Sequence, residues 1–206
     1  MSATKHLAVL GTGGHALSVL DILHINNYSD KLYFVEENKS INLYMGYNVY
    51  PQPRNMVDPM FIAIGNNQIR KNLFLQHMDR EYWSIVSSKS TISHLAETGL
   101  HIFVGHHVHI GPGALIGDNS IINTGSIIEH ECTIGQHCHV SINASIAGQV
   151  SIGDNVFIGA GASVINNISI CSDVVVGAGS VVINSIQKPG TYVGIPAQRI
   201  RNSSPV

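Results

Sequence analysis

At positions 129–131 the chain reads Glu129-His130-Glu131, three side chains with acid–base chemistry in a row. A histidine titrates near neutrality and can take a proton from an attacking nucleophile. A carboxylate beside it fixes the imidazole tautomer and raises its basicity. The trio is candidate general-base equipment, with a polar corner of no consequence as the alternative. A further histidine, His139, follows nine residues later. Near the N-terminus, Gly11-Thr12-Gly13-Gly14-His15 separates an apolar run, His6 to Leu10, from a helical pattern, Leu17 to Leu23. Glu36-Glu37 closes a second apolar run that begins at Leu32, and Gly65 follows a third, Met60 to Ile64. Glycines let backbone approach a ligand closely, a helix N-terminus favours anions, and a carboxylate about twenty residues on is where a ribose is bound. This is nucleotide chemistry, against tight turns without a ligand and solvated charge for Glu36-Glu37. His106-His107-x-His109 invites a metal reading, but neighbours on a strand point to opposite sides, so surface histidines are the default. The basic pair Arg70-Lys71 reads as a solvated helix face.

The elements that must position these groups follow from a period of six. Every sixth residue from Val104 to Val182 is Ile or Val, without a slip. Two residues before each lies a small or β-branched residue, from Ile102 through Cys132 and Cys138 to Ser180. Residues two apart share one side of a strand, so both series face one interior. A period of 3.6 cannot hold every sixth residue on one face over this length; a strand that turns a corner every six residues can. Three such strands close a triangular coil, and fourteen repeats give between four and five coils of a left-handed parallel β-helix. Glycine after many of the aliphatic positions is expected to serve corners that need φ > 0. Cys132 and Cys138 fall in the inward series and are expected to be inert. His130 then projects at an edge and His139 from a flat face half a coil away. The two converge only where subunits meet, as in a trimer with three clefts.

The front part, strand–glycine turn–helix–strand, is a truncated Rossmann-like βαβ domain, too short for a complete dinucleotide fold. The boundaries expected are 1–84 for a nucleotide-sugar-binding domain, 85–198 for the β-helix and 199–206 for a frayed polar tail. Only 12% of residues are charged and the formal net charge is −2, which gives no basic footprint for nucleic acid or anionic membrane. The N-terminal apolar run is too short for a signal peptide or a span of about 20 residues. Three cysteines make no disulfide framework, so a cytoplasmic protein is expected.

With those residues in place, the whole chain resembles the hexapeptide-repeat sugar acyltransferases. It is similar to the sialic acid O-acetyltransferase-like group and, within it, to the UDP-4-amino-sugar N-acetyltransferases of bacillosamine synthesis. The resemblance is carried by Gly11 to His15, Phe61 to Lys71, Ile128-Glu129-His130-Glu131-Cys132, His139-Val140-Ser141 and Gly194-Ile195-Pro196-Ala197. It implies acetyl-CoA as co-substrate, no metal, a homotrimer with active sites between subunits, and a nucleotide-linked 4-amino-4,6-dideoxy sugar as acceptor. It implies His130 as general base, with Glu131 raising its basicity, and His139 near the thioester. By the same resemblance Gly13, Gly14, His15, Glu36, Glu37 and Gly65 form the nucleotide-sugar site, and backbone around Ala160 and Ala178 the coenzyme groove. The family has Asp at the positions of Glu36 and Glu37, and more usually Ser at that of Gly13. O-acetylation of sialic acid or a related sugar is the alternative, with a zinc hydratase or a non-catalytic scaffold behind it.

Overall fold

The computed structural model describes residues 5–37 and 41–200. Its N-terminal part comprises β1 (Leu7–Leu10), α1 (Gly14–Ile25), β2 (Leu32–Val35), β3 (Leu43–Tyr44), β4 (Tyr47–Tyr50), β5 (Met60–Ile62) and α2 (Asn67–Gln76). The sheet runs β3-β4-β2-β1-β5 and is parallel except for the β3–β4 pair. β1 and β2 are buried at every position, as parallel strands are when both faces are covered. Leu7, Val9, Phe34 and Phe61 pack with α1 on one side; Ala8, Leu10, Tyr33 and Ile62 pack with Phe74 of α2 on the other. The β3–β4 hairpin escapes the sequence reading because its strands are short and mixed in polarity. Its turn residues Met45 and Gly46 both have positive φ, 50° and 87°, the geometry that matches the twist of a two-residue hairpin.

From Ile85 onward the chain winds as a parallel β-helix with faces of six, five and eight strands. Each strand pairs with the one a full coil later, so Ile122 lies beside Val140, Val140 beside Ile158 and Ile158 beside Val176. The aliphatic series from Val104 to Val182 is buried throughout, as are Cys132 and Cys138. Burial pushes the Cys138 thiol up to about 12, which removes it as a nucleophile. The helix starts earlier than the Ile/Val series indicates. Strands Ile85–Val86, Thr91–Ile92 and Glu97–Thr98 form a preceding coil, hidden because Thr98 breaks the aliphatic run.

The glycines need a different explanation from the expected one. Those following the aliphatic positions do not have positive φ; a Cβ on Gly105 would lie 2.5 Å from Thr124 N, and one on Gly159 2.5 Å from Ala178 N. They are required by the close stacking of one coil on the next. The left-handed residues stand two positions further on, and there Asn119, Asn143, Asn155, Asp173 and even Glu131 adopt φ of 55° to 60°.

Outward on the eight-stranded face stand Ile85, Phe103 and Ile121, buried in one cluster with Val19, Leu20 and Leu23 of α1. This apolar stripe seats the front sheet on the lower coils. His106 is more than a surface histidine, since its Nε2 meets Asp21 Oδ2 at 2.8 Å and its Nδ1 meets Ser87 Oγ at 2.6 Å. The reading of Arg70 as solvated is overturned: it is 1% exposed. Its guanidinium donates to the carbonyls of Ile64, Gly65, Asn119, His137 and Cys138 and to Asn67 Oδ1, at 2.9–3.1 Å. Arg70 thus clamps the β5–α2 turn onto a β-helix corner. At the C-terminal end, Gln198–Arg199 pairs antiparallel with Tyr192 and Val193, so Arg199 is not frayed; residues 201–206 of the expected tail lie outside the described residues. Among the described residues no helix is long and apolar enough to cross a membrane.

Candidate active site

The strand ends and corners bring the candidate residues to three places. The first is the corner between the six- and five-stranded faces. There His130 Nδ1 lies 3.2 Å from Glu131 Oε2, which also accepts from Gln149 Nε2 at 3.1 Å. With the carboxylate as acceptor the proton sits on Nδ1, and the Nε2 lone pair is left free. Both side chains are open to solvent, 52% and 62% exposed. Glu131 has φ of 56°, the left-handed geometry that the corners of this β-helix share, here adopted by a glutamate. One coil above, Gly148 supports the ring: a Cβ there would lie 2.5 Å from His130 Nε2. Gln149 and Gly148 were not singled out from sequence, although both sit eighteen residues after the pair they serve, which is one coil of the repeat.

The second place is the C-terminal edge of the front sheet. Gly11 has φ of 102°, and a Cβ on it would meet Ile64 and Ala63 at 3.1–3.2 Å, so this position requires glycine. Gly13 is the N-cap of α1 without a side-chain cap, and no acidic residue occupies the first turn. Cβ atoms on Gly13 or Gly14 would meet nothing within 4 Å, so the approach to the helix N-terminus is open. α2 differs, since Asn66 Oδ1 caps it by accepting from Ile69 N. Glu36 accepts from Thr12 Oγ1 at 3.0 Å and Glu37 is exposed. His15 packs edge-on against Phe103, and burial, with His139 and Arg70 nearby, pushes its pKa down to about 3. Its Nε2 is buried without a partner among the described residues, a costly state that suits a polar ligand.

The third place is a cavity of about 640 Å³ where the front sheet ends and the eight-stranded face continues above it. One wall is the Gly65–Gln68 turn; the floor is His139, Phe157 and Val175; Asn155 and Asp173 stand at the corner. His139 Nδ1 faces the Gly65 carbonyl at 3.2 Å and its Nε2 faces Asn123 Nδ2 at 3.2 Å. Asn123 Oδ1 accepts from Thr124 N, which turns its amide donor toward the ring. His139 is therefore an Nδ1–H tautomer that accepts at Nε2, and burial beside Arg70 pushes its pKa down to about 4. It enters the site neutral, with both nitrogens engaged. Gly65 and His139 are thus brought together, and Gly65 adjoins His15, from whose Cβ a Cβ on Gly65 would lie 4.0 Å. His130 stands on another corner of the same prism. Ala160 and Ala178 are exposed on the corner following the eight-stranded face, one above the other, joined by Gly179 N–H to the Ala160 carbonyl. Phe157, Asp173 and Asn123 are not singled out by the sequence, and Arg70 is read there only as a solvated helix face. Among the described residues no group of three His, Cys, Asp or Glu side chains forms a metal-binding cluster.

Three family models match the chain. The PglD N-terminal domain covers residues 6–76, the bacterial transferase hexapeptide model covers 131–166 and 149–184, and the hexapeptide repeat of succinyl-transferase covers 107–136. Among solved structures, a mutant of GDP-perosamine N-acetyltransferase from Caulobacter crescentus, in complex with CoA and GDP-perosamine, is 28% identical. It covers 97% of this chain and 99% of its own, with a TM-score of 0.90. PerB of the same organism, with the same two ligands, gives 28%, 97%, 99% and 0.88. The acetyltransferase domain of PglB from Neisseria gonorrhoeae shares the fold at 24% identity, over 96% of this chain and all of its own, with a TM-score of 0.89.

Proposed function

We propose that the chain is a hexapeptide-repeat sugar acyltransferase that transfers the acetyl group of acetyl-CoA to the amine of a nucleotide-linked 4-amino-4,6-dideoxy sugar. What carries this reading is the likeness, over 97% of the chain, to an enzyme whose structure holds CoA and GDP-perosamine. That relative is an N-acetyltransferase, which favours an amine acceptor over a sialic acid hydroxyl.

In this reading the nucleotide phosphates lie at the uncapped N-terminus of α1, where backbone N–H groups and the helix dipole favour anions. Gly13, Gly14, His15 and Gly65 surround them, and Glu36 or Glu37 receives the ribose. Acetyl-CoA runs along the β-helix past Ala160 and Ala178, with its thioester near His139. His130 and His139 lie on different faces of one prism, so a second copy of the chain supplies His130; a homotrimer with three such clefts satisfies this. His130 Nε2 takes a proton from the amine as the nitrogen attacks the thioester carbonyl carbon. Glu131 stabilises the imidazolium, and backbone amides at the corner receive the developing oxyanion. The tetrahedral intermediate collapses by breaking the C–S bond. CoA leaves as a thiolate, which takes up a proton to give the free thiol.

Loss of a general base costs about 10²–10⁴ in rate. His130→Ala is expected to reduce thiol release from acetyl-CoA by that factor while melting as the wild type does. Glu131→Gln, which keeps a hydrogen-bond acceptor but loses the charge, is expected to lose less. An unchanged kcat/KM in His130→Ala removes His130 from the mechanism.

A further inference from the structure

The glycine turn that opens α1 has few side chains of its own, so its backbone must be held from elsewhere. Gly13 and Gly14 are both exposed, and Gly13 caps the helix without a side-chain bond. Glycine backbone is permissive, and a Gly-Gly peptide can turn over at little steric cost. Which way it faces matters, because one peptide plane carries the Gly13 carbonyl on one edge and the Gly14 N–H on the other. The Gly14 N–H is among the first donors of α1, which no acceptor inside the helix satisfies. Fixing the carbonyl therefore aims the donor.

Two groups hold that carbonyl. Ala16 N–H donates to it at 3.1 Å from within the first turn, and the Tyr44 hydroxyl donates at 3.0 Å from outside the helix. Tyr44 belongs to the β3–β4 hairpin, where it lies opposite Tyr47. Its ring meets Phe34 edge-on with centroids 4.8 Å apart, and Tyr47 meets the same Phe34 at 5.9 Å. The Tyr47 hydroxyl goes to the other end of the helix, 3.1 Å from His24 Nε2. The hairpin thus grips α1 at both ends through two phenols, and the Tyr44 phenol is the one that touches the turn. Burial raises the Tyr44 pKa above its ordinary value, so the hydroxyl keeps its proton through the neutral range. A hydrogen bond accepted by a carbonyl also polarises its peptide, which makes the N–H on the far edge a stronger donor.

We propose that Tyr44 is a positioning residue for nucleotide binding: by donating to the Gly13 carbonyl it holds the Gly13–Gly14 peptide with the Gly14 N–H turned toward the phosphates. The inference rests on the transferase reading above, and its test separates the two. Calorimetry measures the binding of UDP, GDP and dTDP to the wild type, Tyr44→Phe and Tyr47→Phe, beside thiol release with acetyl-CoA and nucleotide-linked amino sugars. Tyr44→Phe keeps the ring on Phe34 and loses only the hydroxyl. One such hydrogen bond corresponds to roughly two- to tenfold in an equilibrium constant, and diphosphate affinity is expected to fall by that factor. The KM for the nucleotide sugar is expected to rise equally, with kcat, the KM for acetyl-CoA and the Tm at wild-type values, because the bond serves ground and transition states alike. Tyr47→Phe removes the matching bond at the far end of α1 and is expected to bind diphosphate as the wild type does. Equal weakening in both variants makes hairpin packing the cause and overturns the proposal. So does a Tyr44→Phe variant that binds diphosphate at full strength. In either case turnover of a nucleotide-linked amino sugar leaves the transferase reading standing. A wild type that binds none of the three diphosphates also overturns the proposal, and if it releases no thiol with any amino sugar conjugate the transferase reading falls with it.

Discussion

Replacing Arg70 tests how the front sheet is joined to the β-helix, because two large effects oppose each other there. Arg70→Met keeps most of the volume and removes the donors. The carbonyls of Ile64, Asn119 and His137 and Asn67 Oδ1 then lose their guanidinium partner, while Gly65 O keeps His139 Nδ1 and Cys138 O keeps Ile121 N. Each orphaned acceptor costs about 1–3 kcal/mol, so four cost roughly 4–12 kcal/mol. Against this, the variant no longer buries a charge. Burial lowers the Arg70 pKa from 12.5 to about 10, which corresponds to about 3 kcal/mol of desolvation relieved. The balance is a net loss of about 1–9 kcal/mol; about 3 kcal/mol is the working value, since Ile64 O and Asn67 Oδ1 are only part-buried and recover water, while the carbonyls of Asn119 and His137 are buried. For a chain of this size that lowers Tm by about 6–12 °C. Arg70→Lys makes the sharper comparison: it retains the buried charge but has three donors in place of five. Lysine is therefore expected to be no better than methionine, although it is the conservative change. Urea melts followed by circular dichroism, at matched protein concentration, measure both. If both variants stay within about 1 kcal/mol of the wild type, Arg70 is a solvated helix residue after all. If lysine restores what methionine loses, charge rather than the fork of donors holds the junction, and the reasoning is refuted.

Two further outcomes follow from the same geometry. His15, His101 and His139 have pKa values pushed down to about 3, 3 and 4, chiefly by burial. The unfolded chain protonates each below about 6.5 and the folded chain does not, so the unfolded state binds more protons in this window and stability falls as pH falls from about 6.5 toward 4. Three such groups give a slope of about 4 kcal/mol per pH unit once all are engaged; urea midpoints that stay level between pH 8 and pH 5 contradict the buried neutral histidines. Gly148→Ala puts a Cβ where His130 Nε2 lies, and because the ring is the free end of a flexible side chain it moves aside. Misplacement of about 1 Å costs about 10²-fold, so kcat is expected to drop by that order with Tm unchanged. A variant with wild-type kcat shows that the ring position over Gly148 is not the working one.

How far the sequence disclosed this molecule depends on the range of the pattern that carries each feature. The β-helix was legible because one inward series, Val104 to Val182, repeats at a fixed short spacing, and strand geometry admits only one explanation. The pairing of His130 with Glu131 was legible for the same reason, since the two interrupt that repeat at one corner. Thr98 concealed the first coil because a single polar residue breaks an aliphatic series without breaking the strand pairing. The role of the glycines was misassigned because closeness between coils, unlike φ, leaves no local trace. Arg70 was misread because its partners are backbone carbonyls from the far corner, Asn119, His137 and Cys138, and carbonyls have no sequence identity to match. The cavity was invisible because Phe157 and Val175 look like Phe103 and Ile121 in the repeat. Only the end of the front sheet distinguishes the uncovered pair from the covered one.

The central claim is the transfer of an acetyl group from acetyl-CoA to the amine of a nucleotide-linked sugar. Its most direct test is mass analysis of the product when the purified protein is incubated with acetyl-CoA and paired nucleotide sugars that differ only in bearing an amine or a hydroxyl at C4. The account predicts one added acetyl group on the amine, as an amide that survives hydroxylamine, together with stoichiometric thiol release and no product from the hydroxyl counterpart. Acetylation of the hydroxyl sugar alone, as a hydroxylamine-labile ester, would contradict it and identify the protein as an O-acetyltransferase.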